Sequence, residues 1–65
     1  MLDMDARLST PQAATVARVD PALIRQWAHR GQLTPVARTR GGRPLYRLGD
    51  VLDTEKRMRA RLLAS

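Results

Sequence analysis

Six arginines and no carboxylate lie between Pro21 and Arg47: Arg25, Arg30, Arg38, Arg40, Arg43 and Arg47. A guanidinium is planar, permanently charged, and presents its donors as a fork that matches phosphate oxygens or the O6 and N7 of guanine. Gln26 stands beside Arg25 and carries an amide that can both donate and accept at an adenine edge. His29 follows three residues later, within one helical turn of Gln26. Arg40-Gly41-Gly42-Arg43 sets two cations around two glycines, where the backbone can come close to a ligand. These residue types do reversible recognition of a polyanion. They do not assemble a catalytic group, because His29 has neither a nucleophile nor an orienting carboxylate at a readable spacing. Cysteine is absent, which excludes thiolate chemistry, disulfides and Cys-based zinc sites. Asp50, Asp53 and Glu55 have no His or Cys among them and read as helix-start and ion-pair residues, not as metal ligands. No enzyme, cofactor, metal site or small-molecule substrate is expected.

The elements that must position these groups are signalled by caps and breakers. In Ser9-Thr10-Pro11, Thr10 or Ser9 offers a capping hydroxyl and Pro11 suits the first turn, so a helix is expected over Gln12 to Arg18. Its Ala13, Ala14, Val16 and Ala17 are available for packing. Asp20-Pro21 repeats the start signal, and Gly31 marks the end of a second helix from Pro21 to Arg30. Projected at about 100° per residue, Ile24, Trp27 and Ala28 form one apolar stripe. Ala22, Gln26 and His29 fall opposite it, flanked by Arg25 and Arg30, with Leu23 on the border. Val36 to Thr39, a Gly-Gly turn and Pro44 to Arg47 read as a β-hairpin. From Leu48 the period is helical again, with Leu48, Val51, Leu52, Met58 and Leu62 on one side. Asp53 with Arg57, and Glu55 with Arg59, have the spacing of helical ion pairs. Residues 1–7 have no period and are expected to be a flexible arm, so the domain is expected over residues 8–65.

Size and charge bound the rest. At 65 residues the chain holds one domain, burying roughly 60% of the surface it exposes unfolded. Its net charge is +6, and 11 of its 12 cations are arginine. The aromatics are Trp27 and Tyr46 alone, so the core is aliphatic with one Trp. The longest stretch without a charge, Leu8 to Ala17, is too short and polar to cross a bilayer, which takes about 20 apolar residues. The acidic start, Asp3 and Asp5, is unlike a secretory signal, so a cytoplasmic protein is expected, in a nucleoid or a phage-infected host. An uninterrupted cationic middle points to nucleic acid first, and to an acidic membrane or protein second.

The order of capped helix, short corner, capped helix, Gly stop, basic hairpin and helix is that of a winged helix-turn-helix, mainly α with a small β-hairpin. Leu8-Ser9-Thr10-Pro11-Gln12-Ala13-Ala14, Val19-Asp20-Pro21 and the run Ile24-Arg25-Gln26-Trp27-Ala28-His29-Arg30-Gly31-Gln32-Leu33 resemble the helix-turn-helix of MerR-type regulators and small excisionases. Gly41-Gly42-Arg43, Leu45-Tyr46-Arg47 and Leu48-Gly49-Asp50-Val51 resemble that group's wing and the opening of its next helix. The resemblance spans Leu8 to Leu52, two-thirds of the chain. Larger members continue into a dimerising coiled coil and an effector domain, and neither property is carried over.

The resemblance implies a stand-alone double-stranded DNA-binding protein. As an excisionase (a recombination directionality factor) it would bind repeated sites cooperatively, head to tail, bend DNA, and direct an integrase or other site-specific recombinase towards excision. A minimal transcription regulator is the alternative within the group. A basic adaptor or antitoxin is the alternative from another class. The implied DNA-facing residues are Arg25, Gln26, His29 and Arg30 on the second helix, with Arg38, Arg40, Arg43 and Arg47 on the hairpin. The Thr10 hydroxyl at a helix start offers a phosphate site. Tyr46 has two open readings, core support for the hairpin or, as the resemblance implies, a phosphate contact. Arg57, Arg59 and Arg61 read as a solvated face with a second phosphate contact as the alternative.

Overall fold

A computed structural model describes residues 3–64. Helix α1 (Thr10–Ala17) starts at Ser9, whose extended backbone points its hydroxyl at the open helix end. The Gln12 N–H donates to the Ser9 hydroxyl at 3.3 Å, and the Ser9 N–H donates back to the Gln12 side-chain oxygen at 2.9 Å. This reciprocal box satisfies two donors that the helix leaves open. Of the two eligible hydroxyls Ser9 therefore caps, and Thr10 is the first helical residue. The other end of α1 holds no glycine, yet it closes as though it did. Arg18 takes the left-handed conformation, with φ of 59°. That allows the Val19 N–H to reach the Ala14 carbonyl at 3.0 Å and the Arg18 N–H to reach Thr15 at 3.3 Å.

Helix α2 (Pro21–His29) begins as the cap signal predicts, with the Ala22 N–H donating to the Asp20 carboxylate at 2.9 Å. It ends in the same left-handed closure. Gly31 has φ of 75°, and the Gln32 N–H donates to the Trp27 carbonyl at 2.8 Å. Here glycine supplies the conformation without a Cβ penalty.

Three short strands form one antiparallel sheet in the order β1-β3-β2: β1 (Arg7–Leu8), β2 (Ala37–Arg38) and β3 (Pro44–Arg47). The hairpin expectation holds for β2 and β3, with β2 shorter than the sequence pattern. The loop is a three-residue one, not a two-residue Gly-Gly turn. Thr39 and Arg43 close it through a 2.8 Å backbone bond, the Gly42 N–H returns to the Thr39 carbonyl at 2.9 Å, and Gly42 sits at φ 82°. A tight turn followed by a left-handed residue is a common way to close such a loop. Pro44, opposite Arg38, comes next to that bonded pair, at a position where the antiparallel alternation asks for no N–H.

Strand β1 corrects the expected flexible arm over residues 1–7. Arg7 and Leu8 pair with Arg47 and Tyr46. Upstream of them, the Leu48 N–H donates to Ala6 and the Gly49 N–H to Met4. The segment fills the free edge of β3 and satisfies the opening N–H groups of the next helix, a use that periodicity cannot reveal. Met1 and Leu2 lie outside the described residues.

Helix α3 (Leu48–Ala64) follows β3 directly. Its Leu48, Gly49, Val51 and Thr54 are buried, whereas Leu62, expected on the same side, is 78% exposed. The core joins Ala13, Ala14 and Ala17 to Ile24, Trp27, Leu33, Tyr46 and Val51. Three alanines on one helix let neighbouring backbones approach closely, and α1 packs against α2, α3, β1 and β3. Val16 of the same helix points outward. Among the described residues no helix is long and apolar enough to cross a membrane.

Candidate nucleic-acid interface

The second helix divides as its sequence pattern requires. Ile24 and Trp27 are buried, while Ala22, Arg25, Gln26, His29 and Arg30 are exposed. Because α2 is anchored through the opposite stripe, these polar side chains stand outward without weakening the core. The Arg25, Gln26, His29 and Arg30 side chains make no hydrogen bond or ion pair within the described residues, so their donors are open to a ligand.

The hairpin arginines separate into three situations. Arg40 in the loop and Arg43 just after it are exposed and have no internal side-chain partner among the described residues. Arg38 folds across the loop, where its Nη1 donates to the Gly42 carbonyl at 3.1 Å. It braces the turn and still presents its remaining donors. Arg47 is different. Its Nε donates to Asp5 at 2.8 Å and its Nη1 to Asp50 at 3.1 Å, with about a third of the side chain exposed. The hydrogen bond that Arg47 donates to Asp5 is the main cause that holds its pKa above the ordinary guanidinium value. Burial opposes that shift, and Asp50 adds to it. A guanidinium committed to two carboxylates is a clamp between the N-terminal segment, β3 and the start of α3, not a free ligand group. Two of the donors of Arg47, expected to face DNA, are thus taken up within the fold, unlike those of Arg40 and Arg43.

Tyr46 is likewise taken up within the fold. Its residue is 1% exposed and belongs to the core cluster, so of its two open readings the structural one holds. Thr10 is half-buried at the first position of α1, beside the Ser9 cap.

Several contributors escape a reading by periodicity. Thr54, the one buried polar residue among those described, donates its hydroxyl to the Gln32 carbonyl at 3.1 Å. Arg57 donates to the same carbonyl at 3.2 Å and to the Thr54 hydroxyl at 3.3 Å. These bonds lock the segment after α2 onto α3 and so set the position of the α2 end that carries His29 and Arg30. They also displace the expected Asp53–Arg57 pair. The Glu55–Arg59 pair forms at 3.5 Å. Arg7 of β1 and Arg18 of the corner are two further exposed cations near the N-terminal half. Among the described residues no group of three or more His, Cys, Asp or Glu could hold a metal ion.

The arrangement therefore presents two cationic, hydrogen-bonding surfaces on rigid supports, one helix face and one hairpin tip. No family model matches the chain, and no curated protein matches it.

Proposed function

We propose that the chain is a sequence-specific double-stranded DNA-binding protein of winged helix-turn-helix architecture, with α1 and α2 as the helix-turn-helix and the β2–β3 hairpin as the wing. One observation carries the reading. Arg25, Gln26, His29 and Arg30 are all exposed and unengaged on the face of α2 opposite its buried stripe. A helix about 10–12 Å across fits the B-form major groove, which is about 12 Å wide. Arg25 and Gln26 have the bidentate groups that distinguish guanine and adenine there. Arg40 and Arg43 lie over the adjacent minor groove or its phosphates, where arginine suits a narrow and strongly negative cleft. Arg30 and His29 supply further groove or phosphate contacts.

The biological role we propose is architectural. Several copies occupy repeated sites side by side, bend the duplex and direct a recombinase towards excision, with promoter regulation as the alternative outcome of the same DNA complex. Selection of duplexes from a random pool, followed by footprinting, tests the reading. The expected result is an enriched motif and protection that extends over repeats as protein is added. Equal retention of all sequences would overturn it. An integrase gene beside the coding sequence would favour excision over regulation.

A further inference from the structure

We propose that the groove between α2 and the last turns of α3 docks an acidic, amphipathic segment of a protein partner. The groove encloses about 540 Å³. Leu23, Trp27 and Met58 line its floor, and Leu62 stands at its outer end. Met58 is partly buried against the core, but Leu62 and Leu63 are 78% and 82% exposed. The final turns of α3 thus extend past the part of the molecule that covers them. Exposed apolar side chains here are bounded by polar and charged groups.

Charge selects the occupant. Among the described residues lining the rim, Arg30 from α2 and Arg59 and Arg61 from α3 stand with one carboxylate, Glu55, which lies 3.5 Å from Arg59. A second copy of the chain would bring the same three guanidiniums and one carboxylate against them, so groove-to-groove pairing gathers like charge. The complementary object is a helix with apolar residues at i, i+3, i+4 and i+7 and with Asp or Glu flanking them. This surface lies beside the proposed DNA-reading face and shares Gln26 and Arg30 with it, whereas Met58, Arg59 and Leu62 belong to the groove alone.

Selection of a displayed library of random peptides, each about 15 residues long, against the full 65-residue chain tests the proposal. Leu62→Glu serves as the counter-target, because an 78%-exposed side chain can be exchanged without disturbing the core. The expected winners are acidic and apolar at helical spacing. They should bind Leu62→Glu and Arg59→Glu each about tenfold more weakly than the unaltered chain, the scale of an interface anchor. No enrichment, enrichment of basic peptides, or winners indifferent to Leu62→Glu would overturn it. Dimerisation in sedimentation that Leu62→Glu abolishes would assign the face to a second copy. Loss of binding to phosphatidylserine vesicles by the same variant would assign it to a membrane, and either result overturns the proposal. Duplex binding by Leu62→Glu, measured separately, should equal that of the unaltered chain, so failure of the DNA reading is seen independently.

Discussion

Trp27 and Gln26 are neighbours on one helix and face opposite fates. Trp27 is 4% exposed within a core that has Tyr46 as its only other aromatic ring. Removing a buried ring costs about 3–5 kcal/mol, most of the stability a core this small supplies. Trp27→Ala should therefore lack a cooperative melt by circular dichroism, and a native-like melt would refute its core role. Gln26→Ala and Arg25→Ala should leave the melt intact and change which duplexes are preferred, with a loss of about 1–3 kcal/mol at the position each reads. Arg43→Ala should weaken all duplexes alike, as loss of a phosphate contact does. Competition binding against a panel of single-base variants separates the two patterns. At this scale the α2 face is legible in the sequence, because a helical projection sorts Gln26 from Trp27 without any tertiary information. Arg47 is not, since its partners are Asp5, far away in sequence, and Asp50.

The elements begin where their caps say and end by a rule that is only half visible. Gly31 announces the end of α2, but α1 ends at Arg18 with φ of 59°. A side chain in the left-handed region costs roughly 1–2 kcal/mol. Arg18→Gly should relieve part of that cost and raise the stability by about 1 kcal/mol, read as a higher urea midpoint with an unchanged slope. An unchanged or lower midpoint would show that the corner is held without strain. The sheet depends on a contact between distant segments. Arg47 holds Asp5 against Asp50, and the Leu48 and Gly49 N–H groups donate to Ala6 and Met4. Arg47→Ala should accelerate exchange of those two amides and lower the melting temperature, while sparing affinity for DNA at low temperature. If affinity falls by the same factor as for Arg43→Ala, Arg47 is a contact residue after all. Since the Arg47 pKa is raised above an already alkaline value, the clamp keeps its cation until strongly alkaline pH and loses it only as pH climbs through that folded-state value.

The whole molecule measures 40 × 29 × 17 Å, so its long axis is close to one helical turn of duplex, about 34–36 Å. With Arg25, Arg30, Arg40 and Arg43 as the open cations of the proposed helix-and-hairpin interface, the logarithm of the binding constant should fall against the logarithm of salt with a slope of about −2 to −4. A slope near zero in a titration from low to physiological salt would favour the adaptor reading over DNA. By itself the sequence determined the three helices, the hairpin, the buried stripe of α2 and the location of the cationic excess. Each of these follows from neighbours within a few residues: a cap, a glycine, a period, a run of arginines. Only the tertiary structure decided that the N-terminal segment becomes strand β1, that Tyr46 belongs to the core, and that Arg47 is spent on two carboxylates. It also decided that Thr54 and Arg57 secure the end of α2, and that the last turns of α3 stand uncovered beside it. Those outcomes depend on which distant groups share a hydrogen bond or a buried volume, and local spacing does not encode that.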